Sequence, residues 1–442
     1  MVGREERFES QLLGMNREAV DLVTVPLLIA RQEVGRQENA ELQIELLLVI
    51  ALTRRHYVDV LTAAAQTVRL PRADGTTYDY SPTGVFRFAS GGSPPRSRIA
   101  YAATHVVADS QTAIDWERTL AFRRHIWGYG LGVAEAMDTA QRGMGLDWEA
   151  SKELIRRSVA EARAVNGWIV CGANTDQLQP GAPRDLREVE AAYEEQCEFV
   201  ESHRAQVVVM ASRDLARIAR GPDEYARVYD RVLSQLRRPA LIHWLGEVFD
   251  PALAGYWGHT DLDRAEEVCI AIIAANRDKV EGVKISLLDQ AREIAMRKRL
   301  PDGVHMFTGD DFDYPTTIAG DGERYSDALL GAFDLIAPAA SAALLALDAG
   351  DRGRFAAILE STVGLSRHVF TAPTMYYKTG IVFMAYLNGF QDHFQMIGGF
   401  EGGRGAAHLA ELFVLADQAG LLRDPDLAIH RIRHAMVAAG VS

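Results

Sequence analysis

The decapeptide VEGVKISLLD, residues 280–289, places a lysine inside an apolar run, between Val283 and Ile285. Lysine is almost never fully buried unless it is paired or takes part in chemistry. A lysine in an apolar interior has a lowered pKa, because desolvation penalises the ammonium. The neutral amine can then attack a ketone or aldehyde to form an imine. Lys284 is therefore a candidate nucleophile; in the structural alternative it ends a strand, where it reaches solvent or pairs with a carboxylate.

A second group of polar residues follows short apolar runs that we interpret as strands. The group consists of His105, Glu135, Asp138, Gln141, Asn174, Arg213, Glu247, Asp310 and Asp311. The carboxyl ends of the strands in a parallel barrel share one rim, where barrel enzymes carry out their chemistry. Structural roles are the alternative, since an aspartate such as Asp310 could instead cap the following helix. As a set, these residues predict a polar pocket suited to a hydroxyl-rich ligand.

The elements that must position these residues are eight short apolar runs. They are residues 99–108, 131–137, 168–173, 205–211, 239–245, 280–286, 304–309 and 333–338. Helical patterns such as WEASKELIRRSVAEARAV (148–165) separate them. Eight strands that alternate with helices predict a (β/α)8 TIM barrel of the α/β class. A doubly wound open sheet is the alternative, but no G-x-G-x-x-G follows the first run.

The strand alternation decides where the lysine points. Alternate residues of a barrel strand face the interior, so an inward Lys284 brings Gly282 and Ser286 inward with it. Val283 and Ile285 then face the surrounding helices. The small neighbours leave room for a long side chain and a ligand, whereas the opposite register sets the lysine against the helix layer.

Four segments divide the chain. Residues 1–66 are predicted to form a helical extension, and residues 67–95 a hairpin around Asp74-Gly75 followed by a connector. The barrel is expected over residues 96–345. A C-terminal helical region is expected over residues 346–442.

Composition restricts the class of protein. The chain has 442 residues, a net charge of −13 and 48% hydrophobic residues, which is typical of a soluble globular protein. The negative charge argues against non-specific nucleic-acid binding and against a basic membrane-binding surface. Three cysteines without a C-x-x-C give neither a disulfide framework nor a zinc motif. With no membrane-spanning stretch and no signal peptide at the start, we expect a cytoplasmic protein.

Four motifs resemble the dihydrodipicolinate synthase/N-acetylneuraminate lyase family of class I aldolase barrels. They are VEGVKIS (280–286), MFTGDD (306–311), GAFDLIAPAASAALLALDAGD (331–351) and LSRHVFTAPTMYYKTGI (365–381), the last containing Lys378. The resemblance extends over about residues 96–390 and places the chain in a divergent, uncharacterised branch. It implies that Lys284 is the Schiff-base lysine and that the protein is a homo-oligomer, either a dimer or a tetramer.

Two motifs depart from that family. Its members carry G-T-T-G-E after strand two, where hydroxyls and amides hold the carboxylate of pyruvate, but this chain has AMDTAQRG (136–143). Thr139 remains, beside Asp138, whose carboxylate would repel pyruvate. The family's proton-relaying tyrosine on strand five is replaced by His243, and histidine also exchanges protons near neutral pH.

The leading hypothesis is a Schiff-base lyase or aldolase that acts on a small carbonyl substrate, a hydroxylated keto acid or keto sugar, without a cofactor. Its catalytic residues would be Lys284 and His243. The predicted substrate-binding residues are Asp138, Thr139, Gln141, Asn174, Arg213, Asp310 and Asp311.

Two alternatives remain open. In the first, a Mn²⁺, Mg²⁺ or Zn²⁺ ion serves an epimerase, isomerase or lyase acting on a keto sugar. Its predicted ligands are His105, Glu135, His243 and Asp310. In the second, the barrel binds a ligand without catalysis and Lys284 serves packing or ion pairing. Neither nucleic acid nor a membrane is expected as a partner.

Overall fold

Eight parallel strands close into a barrel in the computed structural model of this protein, which describes residues 67–88, 91–178 and 185–441. The predicted helical extension over residues 1–66 lies outside the described residues. Helices follow the barrel strands and surround them. The predicted (β/α)8 barrel is therefore confirmed, and a helical C-terminal region follows it.

The described strands, in chain order, are β1 (Val68–Pro71), β2 (Thr77–Tyr80), β3 (Ala100–Ala103), β4 (Ala108–Ser110), β5 (Ala113–Ile114), β6 (Gly132–Glu135), β7 (Ile169–Ala173), β8 (Gln206–Met210), β9 (Ala240–Leu245), β10 (Val280–Ser286), β11 (His305–Thr308) and β12 (Asp327–Leu330). The barrel runs β3, β6, β7, β8, β9, β10, β11 and β12, and β12 pairs with β3 to close it. The pairs β1–β2 and β4–β5 are antiparallel hairpins outside the barrel.

The described α-helices are α1 (Trp116–Gly128), α2 (Trp148–Val165), α3 (Leu186–Ser202), α4 (Arg213–Ile218), α5 (Pro222–Ser234), α6 (Leu262–Ala275), α7 (Gln290–Arg299), α8 (Tyr314–Ala319), α9 (Ala332–Asp348), α10 (Arg352–Val369), α11 (Tyr377–Leu387), α12 (Ala406–Gln418) and α13 (Pro425–Ala438). Acidic caps begin several of them: the side chain of Asp147, for example, accepts a hydrogen bond from the Ala150 amide at the start of α2, which satisfies one otherwise free N–H. None of the described helices is long and apolar enough to cross a bilayer.

Side chains alternate between the barrel interior and the helix layer, as strand geometry requires. One buried cluster fills part of the interior and includes Ala134, Leu241 and Phe307. Val283 and Ile285 of β10 belong instead to the large cluster between barrel and helices. Lys284, which lies between these two residues, therefore faces the interior.

A buried ion pair ties α1 to strand β6. Arg123 Nε and Nη2 donate to the two carboxylate oxygens of Glu135, each at 2.9 Å. Both side chains are fully buried. Such a pair contributes little net stability against an apolar substitute, but removal of one partner leaves a buried charge uncompensated.

The N-terminal hairpin forms at Asp74-Gly75, as the sequence predicts. Asp74 Oδ1 accepts hydrogen bonds from the amide and the hydroxyl of Thr76. The residues that follow bind the C-terminal helical region, where Asp417 accepts from the Tyr80 hydroxyl at 2.8 Å and from the Thr83 amide at 2.7 Å. These bonds anchor the hairpin to α12.

The prediction that residues 333–338 form the eighth strand is wrong. The last of the eight barrel strands along the chain is β12, Asp327–Leu330, and residues 333–338 lie in the first turns of α9. A short apolar run that is buried on all sides has the same composition in a strand and in a core helix. The alanine-rich stretch after it favours the helix, and Pro338 is accommodated where Ile336 departs from helical geometry.

Candidate active site

Lys284 projects into the barrel from the middle of β10. It pairs in register with His243 of β9 and Phe307 of β11, and it is only 7% exposed. Burial lowers the pKa of its ammonium, while the carboxylates of Asp311 and Asp138 oppose that shift. Burial thus shifts the amine toward its neutral form, which is the nucleophilic one.

The turn after β11 brings a carboxylate to this lysine. A Cβ atom on Gly309 would lie 2.3 Å from Ser286 Oγ and 2.8 Å from Lys284 Cε, so only glycine fits there. Asp311 follows, and its Oδ1 accepts a 2.8 Å hydrogen bond from the Ala332 amide at the start of α9. Burial raises the pKa of Asp311 to about 7, although Lys284 and this amide act in the opposite direction. Asp311 can thus exchange a proton near neutral pH.

His243 lies on the other side of the lysine. Its Nε2 is 3.2 Å from Ser286 Oγ. Its Nδ1 is 3.9 Å from Asp138 Oδ2, which is too long for a hydrogen bond. Burial, reinforced by Lys284, lowers the pKa of His243 well below 6.5. The imidazole is therefore neutral at physiological pH, with one nitrogen able to donate and the other to accept.

A tyrosine from the C-terminal region completes the site. Tyr377, the first residue of α11, has its hydroxyl 3.0 Å from Thr139 Oγ1. Its ring stacks on Phe370, with the centroids 4.5 Å apart. Burial, together with Asp138 and other nearby carboxylates, raises its pKa well above 10, so the hydroxyl keeps its proton and can donate it in a hydrogen bond.

Lys284, Asp311 and Tyr377 line one cavity, which we call the Lys284 cavity, whereas His243 does not line it. Its polar lining is Lys284, Ser286, Asp311, Asp138, Thr139 and Tyr377. A second cavity, the Lys378 cavity, shares the walls Asp138, Leu245 and Phe249 with it. Arg213, one of the predicted binding residues, lines this second cavity, and its Nε donates to Asp250 Oδ2 at 2.5 Å.

Three predicted binding residues serve loop structure, and none of them lines either cavity. Gln141 donates from Nε2 to the carbonyls of Met144 and Ile397. Asn174 Oδ1 accepts from the amide of the next residue. Asp310 Oδ1 accepts from the amides of Phe312 and Asp313, so it holds the turn before α8 and does not cap that helix, whose N-cap is Asp313.

The four residues of the metal hypothesis lie in different environments. His105 Nδ1 is 2.8 Å from Asp334 Oδ2, Glu135 pairs with Arg123 in the helix layer, and Asp310 serves the turn before α8. In the residues that the structure describes, no three His, Cys, Asp or Glu side chains are arranged to hold a metal ion. The proposed ligand set is not assembled.

Two residues near the site were missed from the sequence. Tyr377 lies in a segment interpreted only as helical, and Asp334 lies in the segment mistaken for a strand. Asp334 accepts from both the amide and the Nδ1 of His105. The sole sequence signal for Tyr377 was its position beside Lys378 in the motif that resembles the aldolase barrels.

Comparison with known proteins identifies a family and a fold. Residues 68–441 match the model of the family described as "Protein of unknown function (DUF993)". A search of the curated proteins gives no match.

Three of the similar solved structures show how far the likeness extends. A dihydrodipicolinate synthetase of Pseudomonas aeruginosa, described as putative, is 15% identical, with a TM-score of 0.57 over 73% of this chain and 99% of its own. The chloride-inhibited dihydrodipicolinate synthase of Acinetobacter baumannii, complexed with pyruvate, is 13% identical, with a TM-score of 0.57 over 74% and 100%. A prophage protein of the dihydrodipicolinic acid synthase family from E. coli K12, also with pyruvate, is 13% identical, with a TM-score of 0.56 over 78% and 99%. At these identities the likeness establishes a shared fold, in agreement with the resemblance stated from the motifs.

Proposed function

The chain belongs to the DUF993 family, and from its barrel and the lysine buried inside it we propose that it is a Schiff-base-forming lyase or aldolase of small carbonyl compounds. The observation that carries this proposal is the buried amine of Lys284, which lines a cavity inside the barrel together with Asp311. A buried lysine whose pKa is lowered, beside a carboxyl whose pKa is raised to about 7, is typical of a functional site.

The first step is imine formation. The neutral amine of Lys284 attacks the carbonyl carbon, and the carbinolamine that forms loses water. Asp311 accepts one proton from the attacking nitrogen and passes it to the oxygen, which gives the carbinolamine; a pKa near 7 suits this exchange. A second proton, taken up from the medium, lets the hydroxyl leave as water, and the proton that remains on the nitrogen makes the product a protonated imine. Lys284 thereby becomes bonded to the substrate carbon, and one water molecule is released.

The protonated imine then acts as the electron sink. In C–C cleavage, the β-hydroxyl loses its proton, its carbon leaves as a carbonyl product, and the electrons of the C–C bond form an enamine. In dehydration, an α C–H proton passes to the Asp311 carboxylate to form the enamine, and that proton is then given to the β-hydroxyl, which leaves as water. The proton on the departing or attacking oxygen can move through Tyr377 and Thr139, which are joined by a hydrogen bond. His243, neutral and hydrogen bonded to Ser286, does not line the cavity, so it acts on the substrate only through Ser286, which does. The proposed chemistry needs no metal, because the iminium carries the positive charge.

One wall of the Lys284 cavity supports a hydroxylated substrate, either a keto sugar or a keto acid whose carboxylate lies elsewhere. Asp138 and Thr139 occupy the wall where the resemblance implies a pyruvate carboxylate site. A carboxylate repels another carboxylate but accepts hydrogen bonds from hydroxyl groups. Bound pyruvate in two of the similar structures is a property of those proteins, and here Asp138 favours a hydroxyl at that place.

Borohydride reduction tests the proposal. Protein incubated with candidate keto acids and keto sugars is reduced, and peptide mapping locates the added mass. Of the five lysines of the chain, we expect Lys284 to carry the irreversibly added mass and the exposed Lys298 to carry none. Lys284→Met should abolish both the label and turnover. Turnover without a label, a label on another lysine, or full activity of Lys284→Met would overturn the proposal, and the last would favour a non-catalytic role for this lysine.

A further inference from the structure

The Lys378 cavity lies beside the Lys284 cavity and has a different electrostatic character. Three cationic side chains line it: Lys378, Arg142 and Arg213. Two carboxylates, Asp138 and Asp250, line it as well. Neighbouring residues of α11 divide between the two cavities, because Tyr377 lines the first and Lys378 the second.

Lys378 is buried without a strong acceptor. It is 5% exposed, and the hydrogen bonds of its Nζ within the described chain run to Met144 Sδ at 3.5 Å and to the Met375 carbonyl at 3.4 Å. Both are long, and a thioether is a weak acceptor. Burial lowers the pKa of Lys378 to about 8, partly offset by Asp138. An ammonium in this setting retains hydrogen-bonding capacity for a ligand.

The two arginines differ from Lys378 because each already has a carboxylate partner. Arg142 donates from Nε to Asp176 Oδ2 at 2.9 Å, and Arg213 donates to Asp250. Their charges are thus locally balanced, while that of Lys378 is not matched by a hydrogen-bonded carboxylate. The cavity is therefore positive near Lys378, although the chain as a whole carries −13.

We propose that the Lys378 cavity binds an acidic group, a carboxylate or phosphate, of a carbonyl substrate that reacts at Lys284. This proposal rests on the proposed function. The two cavities are adjacent, because Asp138, Leu245 and Phe249 line both of them, and a ligand that spans both would contact both lysines. The substrate class is thus a hydroxylated carbonyl compound with an acidic group remote from the reacting carbon.

The physical basis is the strength of a charge-assisted hydrogen bond in a water-poor cavity. Such bonds are about twice as strong as neutral ones, and a low local dielectric strengthens them further. A neutral ligand of the same size would leave the Lys378 ammonium with only its two long hydrogen bonds and its contact with the Tyr377 ring, 4.6 Å from the ring centroid. Sites built for a polar group reject analogues that lack it. Lys378 would therefore determine specificity, not perform the reaction.

Matched carbonyl probes test the inference. Dihydroxyacetone phosphate is compared with dihydroxyacetone, and 4-oxopentanoate with its methyl ester. The measured quantity is the probe concentration that gives half-maximal borohydride trapping at Lys284. In the unmodified protein we expect the acidic member of at least one pair to require about tenfold less, since a hydrogen bond to a charged group is worth about one decade or more in affinity. The pair that shows the advantage identifies phosphate or carboxylate as the preferred group.

Variants then assign the advantage to one side chain. Lys378→Met should reduce it to about twofold or less, and Lys378→Arg should retain part of it, because the positive charge remains. Lys298→Met removes the same charge from a side chain that is 57% exposed, and it should keep the full advantage. An equal advantage in Lys378→Met, or no advantage in the unmodified protein, would overturn the inference.

A second measurement does not depend on imine formation. Inorganic phosphate or succinate is added to Lys284→Met protein, and the midpoint of thermal unfolding is compared with that of the Lys284→Met/Lys378→Met double variant. Binding at Lys378 raises the midpoint of the first protein only. If no probe is trapped at Lys284 but this difference is seen, the proposed function fails and the acid site stands. If a probe is trapped at Lys284 but neither measurement depends on Lys378, the acid site fails and the proposed function stands.

Discussion

Replacement of Lys378 by methionine is expected to make the folded protein more stable at neutral pH. Burial lowers the pKa of Lys378 from 10.5 to about 8, and one pKa unit is equivalent to about 1.4 kcal/mol. The folded state therefore loses about 3 kcal/mol at pH 7 by holding this ammonium. Methionine is of similar length and apolar, so it fills the same space without that penalty.

The stability gained by Lys378→Met should decrease as the pH rises. In the unfolded chain this lysine keeps its proton up to about pH 10, whereas in the folded protein it loses the proton near pH 8. Between these values the unfolded state binds more protons, so the stability of the unmodified protein rises with pH. The advantage of Lys378→Met is complete below about pH 8 and disappears toward pH 10.5.

Urea denaturation at about pH 7 and about pH 9.5 measures both effects. The free energy of unfolding of Lys378→Met should exceed that of the unmodified protein at the lower pH, and the difference should shrink at the higher pH. Lys298→Met, which loses a largely exposed charge, should change stability by less than about 0.5 kcal/mol. A Lys378→Met protein that is less stable at pH 7, or a gain that does not vary with pH, would refute the reasoning. A stabilising replacement that loses the acid preference would show that this lysine is retained for binding.

Four further outcomes are expected. Lys284→Met should slow turnover by at least about 10³-fold, because methionine cannot form the imine. Steady-state kinetics measure this, and loss of less than tenfold would contradict it. In Asp311→Asn the rate of imine trapping should no longer rise through pH 7, since the carboxylate with a pKa of about 7 is gone; an unchanged pH profile would exclude Asp311 as the proton acceptor. Tyr377→Phe should lower kcat by about 10² to 10⁴-fold. It should also reduce the free energy of unfolding by about 1 kcal/mol, because the hydrogen bond to Thr139 is lost. A normal kcat would show that the tyrosine has only a structural role. Arg123→Met should lower the free energy of unfolding by about 3–5 kcal/mol, because Glu135 is left buried and unpaired. The double variant Arg123→Met/Glu135→Leu should recover most of that loss, and urea denaturation measures both.

The strands were predictable because strand alternation is a local property. Residues 280–286 form β10 as their sequence indicated, and the inward position of Lys284 follows from the two outward-facing neighbours, Val283 and Ile285. The same locality explains the error at residues 333–338. A fully apolar run has no alternation to distinguish a strand from a core helix, so the pattern there carried no information about period.

The candidate site was predictable only in part. Asp311 follows a barrel strand, and its position beside the lysine cavity is a consequence of the barrel rim. Asp310 precedes it by one residue yet serves a turn, because both aspartates lie beyond the end of β11, where strand alternation no longer sets the direction of a side chain. Tyr377 enters the same cavity from a helix 66 residues after Asp311 along the chain, and no local pattern links residues that far apart.

By itself, the sequence determined the barrel, the strand that carries Lys284 and the face to which that lysine points. These follow from periodicity and from the alternation of side chains, which operate between near neighbours in the chain. Only the tertiary structure decided that Tyr377 joins Thr139, that Asp311 and Asp138 face the amine, and that Lys378 lines a cavity next to it. Each of these pairs residues from distant segments, and the folded packing of strands and helices sets their distances, their burial and therefore their pKa values.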